Sequence, residues 1–157
     1  MRWLPNNNSI WTAQNTDRVA SYGTEIQLQW QKTLAQHTVN LQSTYAYTIS
    51  KNSETGKQLF FVPYNKFTFA AAHHYKKFNT QFQWLYTDFV YTQSDNDPKA
   101  IVPAFAVANL GLDYDFNLLK NTKVGVKVLN LFNSSYESLE NRPMPGRHYT
   151  IYLHFKF

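Results

Sequence analysis

The feature of this sequence that most limits its fold is strict two-residue alternation, held over segments far longer than ordinary strands and carried to the chain end. From His148 the sequence reads His-Tyr-Thr-Ile-Tyr-Leu-His-Phe-Lys-Phe and stops. Tyr149, Ile151, Leu153, Phe155 and Phe157 share one face of a strand, and His148, Thr150, Tyr152, His154 and Lys156 share the other. Before it, Asn141-Arg-Pro-Met-Pro-Gly-Arg147 is a dense breaker cluster. Exposed ends fray, so a strand that alternates up to its carboxylate must be paired to its last residue.

The same pattern recurs upstream. Asp17–Gln31 sets Tyr22, Thr24, Ile26, Leu28 and Trp30 against Gly23, Glu25, Gln27 and Gln29, with a turn at Lys32 and Thr33. Leu34–Ser50 sets Val39, Leu41, Tyr45, Tyr47 and Ile49 against Thr38, Asn40, Gln42, Thr44 and Thr48. A longer loop, Lys51–Phe61, carries Gly56 at its tip. A strand after Pro63 (Phe67, Phe69, Ala71, Tyr75) turns tightly at Lys76-Lys77 into the next (Phe78, Phe82, Trp84, Tyr86). The polar loop Thr92–Ala100 leads to Ile101–Phe116, where Leu110, Leu112, Tyr114 and Phe116 oppose Asn109, Gly111, Asp113 and Asp115. A turn near Lys120-Asn121 opens the strand of Val124, Val126 and Val128, and Leu131–Arg147 is the longest loop. At the start, residues 1 to 4 read as a strand stub and Pro5–Thr16 as a polar loop.

Two regularities decide the class. Connections alternate short and long along the whole chain, as in membrane barrels with tight periplasmic turns and longer outer loops. The segments run to about 11–17 residues, whereas soluble strands average roughly 5–6 and a tilted membrane strand needs roughly 9–11. Charged residues in strand centres (Glu25, Lys66, Asp113, Lys123, Lys127) keep to the polar parity, with His73 the exception. The sequence therefore predicts an all-β, antiparallel up-and-down transmembrane β-barrel fragment of about seven meandering strands. Seven hairpin-linked strands cannot close by themselves, because the first and last would be parallel, and a four-residue stub reaches only about 13 Å. A soluble all-β ligand-binding barrel alternates in the same way with its faces inverted, and a passive porin-type barrel shares every feature so far.

Composition narrows the functional classes. Aromatics make up 17% of the chain and charged residues 16%, so the rings sit among Gln, Asn and Thr rather than in apolar runs. No stretch approaches the roughly 18 apolar residues of a membrane helix. There is no cysteine, which rules out disulfides and thiolate metal sites. The net charge of +5 comes from scattered basic residues without a Lys/Arg block, so no nucleic-acid partner is expected. Met1-Arg-Trp-Leu-Pro5 has no apolar signal region, which for an exported protein places the natural start upstream.

Catalytic constellations are missing from the sequence. His73 and His74 point to opposite faces of a strand, and His148 and His154 lie about 20 Å apart along theirs, so neither pair chelates a metal locally. Gly56-Lys57 sits at a hairpin tip and opens no helix, and no Gly-x-Ser-x-Gly occurs. No enzyme activity, cofactor or metal is expected. The aromatic stripes read as a lipid-facing band with interfacial girdles. A ligand-stacking role is left to the loop aromatics Trp11, Phe60, Phe61 and Tyr136, and Lys66, Lys123 and Lys127 are basic groups on the polar face.

Val128-Leu-Asn-Leu-Phe-Asn133 with Tyr136, then Arg142-Pro-Met-Pro-Gly-Arg147 and the alternating end at Phe157, resembles the C-terminus of TonB-dependent outer-membrane receptors. Trp11 to Leu28, with Asn15 and Gly23-Thr-Glu25, resembles an earlier barrel strand of that family. The resemblance implies that residues 1–157 are a C-terminal barrel segment, about the last third of a 22-stranded barrel, without the family's N-terminal plug domain and TonB box. It implies a place in the bacterial cell outer membrane and energised uptake of a scarce nutrient such as a metal-siderophore, haem or cobalamin. The implied partners are outer-membrane lipid, the preceding barrel strands and plug, TonB, and the barrel assembly machinery. That machinery would read Phe157, with Tyr149, Leu153 and Phe155 as its alternating companions.

Overall fold

In the computed structural model, residues 2–5, 11–14, 18–116 and 122–155 are described. They contain thirteen strands and no helix: β1 Arg2–Pro5, β2 Trp11–Gln14, β3 Val19–Leu34, β4 His37–Asn52, β5 Asn65–Tyr75, β6 Phe78–Thr87, β7 Val90–Tyr91, β8 Ile101–Val102, β9 Phe105–Phe116, β10 Thr122–Leu129, β11 Glu137–Leu139, β12 Arg142–Pro143 and β13 His148–Phe155. Seven of these form one antiparallel meander in the order β13-β10-β9-β6-β5-β4-β3. The remaining six pair off as β1–β2, β7–β8 and β11–β12.

Because side chains alternate along every strand, the register of this meander extends two separate surfaces across all seven strands. One row of facing residues runs Trp30, Leu41, Ala71, Phe82, Leu110, Val128, Tyr149. The row behind it on the opposite face runs Gln31, Asn40, Ala72, Gln81, Gly111, Lys127, Thr150. Cross-strand aromatic pairs knit the apolar face together: Phe67 with Trp84 at 5.4 Å and Phe78 with Tyr114 at 4.8 Å, both edge-to-face.

No second layer covers the apolar face among the described residues. Leu28 is 66% exposed and Ile151 77%, while the buried core among the described residues is small: Val90, Val102, Val107 and Ala108. A soluble barrel would turn this face inward around a core. Here the sheet stays open, with β3 and β13 as its edges.

The short–long alternation holds at the ends that are described. Ala35-Gln36 and Lys76-Lys77 are two-residue connections, and the three long ones lie at the opposite end of the sheet. The turn near Lys120-Asn121 falls outside the described residues.

Several boundaries differ from the sequence reading. The first hairpin turns at Ala35-Gln36, so Lys32 and Thr33 belong to β3 and Lys32 lies on the apolar parity, opposite Val39. No glycine or asparagine marks this turn; Ala35 itself takes the left-handed conformation at φ 53°. The loop read from Pro5 to Thr16 contains β2, which pairs with the stub in a ladder of its own. The strand read from Ile101 breaks at Pro103, leaving β8 to pair with β7.

Candidate functional site

The polar face is lined by carboxamides. Gln29 and Gln42 pair directly across β3 and β4, as do Gln83 and Asn109 across β6 and β9, with Ala70 of β5 in the row between. With the parallel row through Asn40, Ala72 and Gln81, this makes a trough of about 210 Å³ floored by the two alanines. Such a lining offers donors and acceptors without net charge.

Toward the short-turn end the same face becomes ionic. The Tyr152 hydroxyl reaches across Gly125 to donate to the buried Asp113. A Cβ at Gly125 would collide with both the Tyr152 ring and the Asp113 carboxylate, so the crossing requires glycine at this position. The Lys127 ammonium lies 5.1 Å from the Tyr152 ring centre, and Lys123 pairs with Asp115 at 3.5 Å. Asp115 also accepts from Asn79 Nδ2 at 3.0 Å, and His74 Nδ1 donates to Asn79 Oδ1 at 2.6 Å. Two of the three lysines singled out from sequence are thus engaged with neighbours of their own sheet.

At the other end the long loops are fastened to one another. Gln58 is 2% exposed and holds the first of them: Ser50 N–H donates to its Oε1 at 3.0 Å, and its Nε2 donates to the Val62 carbonyl at 3.3 Å. Its backbone exchanges two hydrogen bonds with the side chain of Asn96 in the second loop, N–H to Oδ1 at 2.8 Å and Nδ2 to carbonyl at 2.9 Å. Lys57 Nζ donates to the Asp95 carbonyl at 2.7 Å beside them. Phe61 N–H donates to the Tyr91 carbonyl at 2.9 Å, joining the same two loops a second time.

The third loop is folded around Asn130. Its backbone N–H donates to Asn109 Oδ1 at 3.0 Å; its side chain accepts from Ser134 N–H at 2.9 Å and donates to the Ser134 and Pro145 carbonyls at 2.8 and 3.2 Å. Asn133 Oδ1 accepts from Arg147 N–H at 2.8 Å, closing the loop just before β13. Both asparagines take positive φ, 51° and 56°, which their short polar side chains tolerate better than most. This gives the Leu-Asn-Leu-Phe-Asn stretch a physical role, as the bracket of the longest loop.

The loop aromatics fall into different places. Phe60 and Phe61 meet edge-to-face at 5.5 Å but line separate cavities. Phe60 borders one of about 190 Å³ with Asn52, Glu54 and Lys57. Phe61 borders one of about 160 Å³ where the three loops converge, with Lys66, Asp88 and Phe105 in its wall. Tyr136 stacks on Phe105 at 4.7 Å, so it reaches the same neighbourhood as Phe61. Trp11 lies in β2 at the backbone, and its side chain is outside the described residues. Burial, with Tyr91, Tyr47 and Asp88 adding to it, raises the pKa of Tyr64 at the end of the first long loop.

Sequence reasoning missed Gln58, Asn96, Asn109 and Asn130 as organising residues. Gln58, Asn96 and Asn130 look like any carboxamide in a polar loop and Asn109 like any on a polar strand face, and only their partners reveal what they hold. Of the terminal residues, Tyr149, Leu153 and Phe155 all lie exposed on the apolar face, and Phe157 lies outside the described residues.

Residues 3–131 match the family described as TonB dependent receptor-like, beta-barrel. No curated protein matches the chain. Among solved structures, the copper transporter OprC aligns with TM-score 0.75 and 20% identity over 99% of this chain and 26% of its own. The siderophore receptor PiuA from Acinetobacter baumannii aligns with TM-score 0.63 and 18% identity over 85% of this chain and 22% of its own. The ferric citrate transporter FecA aligns with TM-score 0.67 and 16% identity over 86% of this chain and 23% of its own. The chain thus spans about a quarter of the length of these proteins. An open antiparallel meander with one apolar and one polar face, long loops gathered at one end, and a family match over most of its length lead to one assignment: this chain belongs to the TonB-dependent receptors of the bacterial outer membrane, as part of their β-barrel.

Proposed function

We propose that residues 1–157 form the C-terminal wall of a TonB-coupled importer and part of its outer mouth, taking up a scarce nutrient such as a metal-siderophore, haem or cobalamin. The observation that carries this reading is the family match combined with two interlocked long loops, and a third converging on them, over a polar, carboxamide-lined wall. The copper, siderophore and ferric citrate proteins of the same fold are named as transporters or receptors, which supports transport over catalysis. The full receptor would supply the plug that gates the lumen and the segment that engages TonB. Phe61 and Tyr136, near one cavity, are the loop aromatics best placed to meet ligand there, with Phe60 at its own cavity beside them. Trp11 is assigned the same role from sequence.

The deciding experiment is uptake of labelled ferric siderophores, haem and cobalamin by cells carrying the full-length receptor, with and without TonB. Accumulation of one of these that is lost when TonB is deleted supports the reading. Uptake that is indifferent to TonB would make the protein a passive porin-type barrel. The chain end is assigned to assembly: Phe157→Ala is expected to lower the surface abundance of the full receptor while leaving ligand affinity unchanged in assembled molecules. Unaltered abundance would remove that role from Phe157 and from its companions Tyr149, Leu153 and Phe155.

A further inference from the structure

We infer that the apolar face carries a site for the headgroup of an anionic phospholipid, built where β3, β4 and β5 meet their short turns. Lys32, His37 and His73 share one corner of a face that is otherwise mostly apolar. His37 Nδ1 and His73 Nε2 lie 3.0 Å apart, one donating to the other, with their rings parallel at 5.2 Å. The other flank of His37 stacks on Tyr75 at 4.2 Å, and Lys76 Nζ lies 5.2 Å from the Tyr75 ring centre. Lys32, opposite Val39, is the diagonal neighbour of His37 across the strand pair, roughly 7–8 Å away.

These cationic and imidazole groups have no carboxylate on their own face. The acidic residues in the described strands of the main sheet, Glu25, Asp113 and Asp115, all lie on the polar face. A cation at the edge of hydrocarbon needs either water or an anion, and a phosphodiester supplies the anion at that depth. Short turns mark the periplasmic side of such barrels, so the corner meets a leaflet of phospholipid phosphates. Trp30 and Leu28, 50% and 66% exposed, follow Lys32 on the same face toward the midplane and give the acyl chains an apolar floor. Two imidazoles already bonded to each other, with no third donor grouped with them among the described residues, make a poor metal site.

The test uses the full-length receptor in bilayers of mixed phosphatidylglycerol and phosphatidylcholine, with retained lipid counted after gentle extraction by native mass spectrometry. The parent protein should retain phosphatidylglycerol in excess of its bilayer share. Lys32→Gln with Lys76→Gln, both exposed side chains, should lower that excess about fivefold for each cation removed. His37→Gln with His73→Gln should lower it further, and heat-modified gel mobility confirms that each variant has assembled. Should the histidine pair fail to assemble, the lysine pair decides alone. Lys66→Gln with Lys127→Gln makes the same charge change on the polar face and should leave retention unaltered. An equal loss in that control, no excess in the parent, or displacement of the lipid by free inorganic phosphate would overturn the site. The readout does not involve ligand uptake, so it stands or falls separately from the import reading.

Discussion

Asn130 shows how one side chain can hold a loop of this size. It is 3% exposed, takes a left-handed backbone and satisfies three backbone groups with its carboxamide. Asn130→Ala is expected to leave those groups unpaired, at about 1–3 kcal/mol, and to hold at positive φ a residue that tolerates that conformation less well than asparagine. Asn130→Gly keeps the backbone free of strain and loses only the hydrogen bonds, so it should be the milder of the two in urea unfolding of the full receptor. Equal losses would assign the whole effect to the side chain. The apolar face provides a second test at this scale. Leu28→Arg places a charge where lipid should lie, at a cost of roughly 2–4 kcal/mol, whereas Gln27→Arg one residue away faces the lumen and should be tolerated. Folding yield into liposomes separates them. Asn109 shares the parity of Gln27 but is a poor control, because its carboxamide accepts from Asn130 N–H.

Among elements, the two outer loops before and after β5 and β6 behave as one unit. The reciprocal bonds between the Gln58 backbone and the Asn96 side chain span 38 residues of sequence and tie the two loops side by side. Asn96→Ala should release both. The sensitive reporter is Lys57, whose ammonium is held on the Asp95 carbonyl. Trypsin cleavage of the full receptor after Lys57 should rise at least severalfold in Asn96→Ala, with the barrel itself intact. A cleavage rate equal to the parent's would mean that the Phe61–Tyr91 backbone bond suffices to join the loops.

For the whole molecule, the open sheet sets the behaviour. β3 and β13 each present an unpaired edge, and the apolar face is bare across seven strands. Such edges recruit other chains, and a bare face of this extent exceeds what soluble monomers carry. Residues 1–157 by themselves in water are expected to associate rather than fold as a monomer. Size-exclusion chromatography with near-ultraviolet circular dichroism checks this: a sharp monomer peak with fixed aromatic signals and a cooperative melt would contradict it. In lipid the same edges would strand backbone donors and acceptors, so the strands function only within a closed barrel.

The faces of the strands were legible before any coordinates, because parity is a local property: a residue and its second neighbour share a side whatever the rest of the chain does. So were the hairpin order and the loop rhythm, since tight turns and long polar stretches differ in length and composition. The turn at Ala35-Gln36 was not, because it lacks a turn residue and the polar Lys32-Thr33 pair imitates one. That shift hid Lys32 on the apolar face, and the partner that His73 finds in His37 comes from contact between strands, which parity alone does not give. The staples Gln58, Asn96 and Asn130 were equally unreadable. A carboxamide in a polar loop looks the same whether it faces water or a backbone group brought in from 38 residues away, and only chain folding brings that group within hydrogen-bond range.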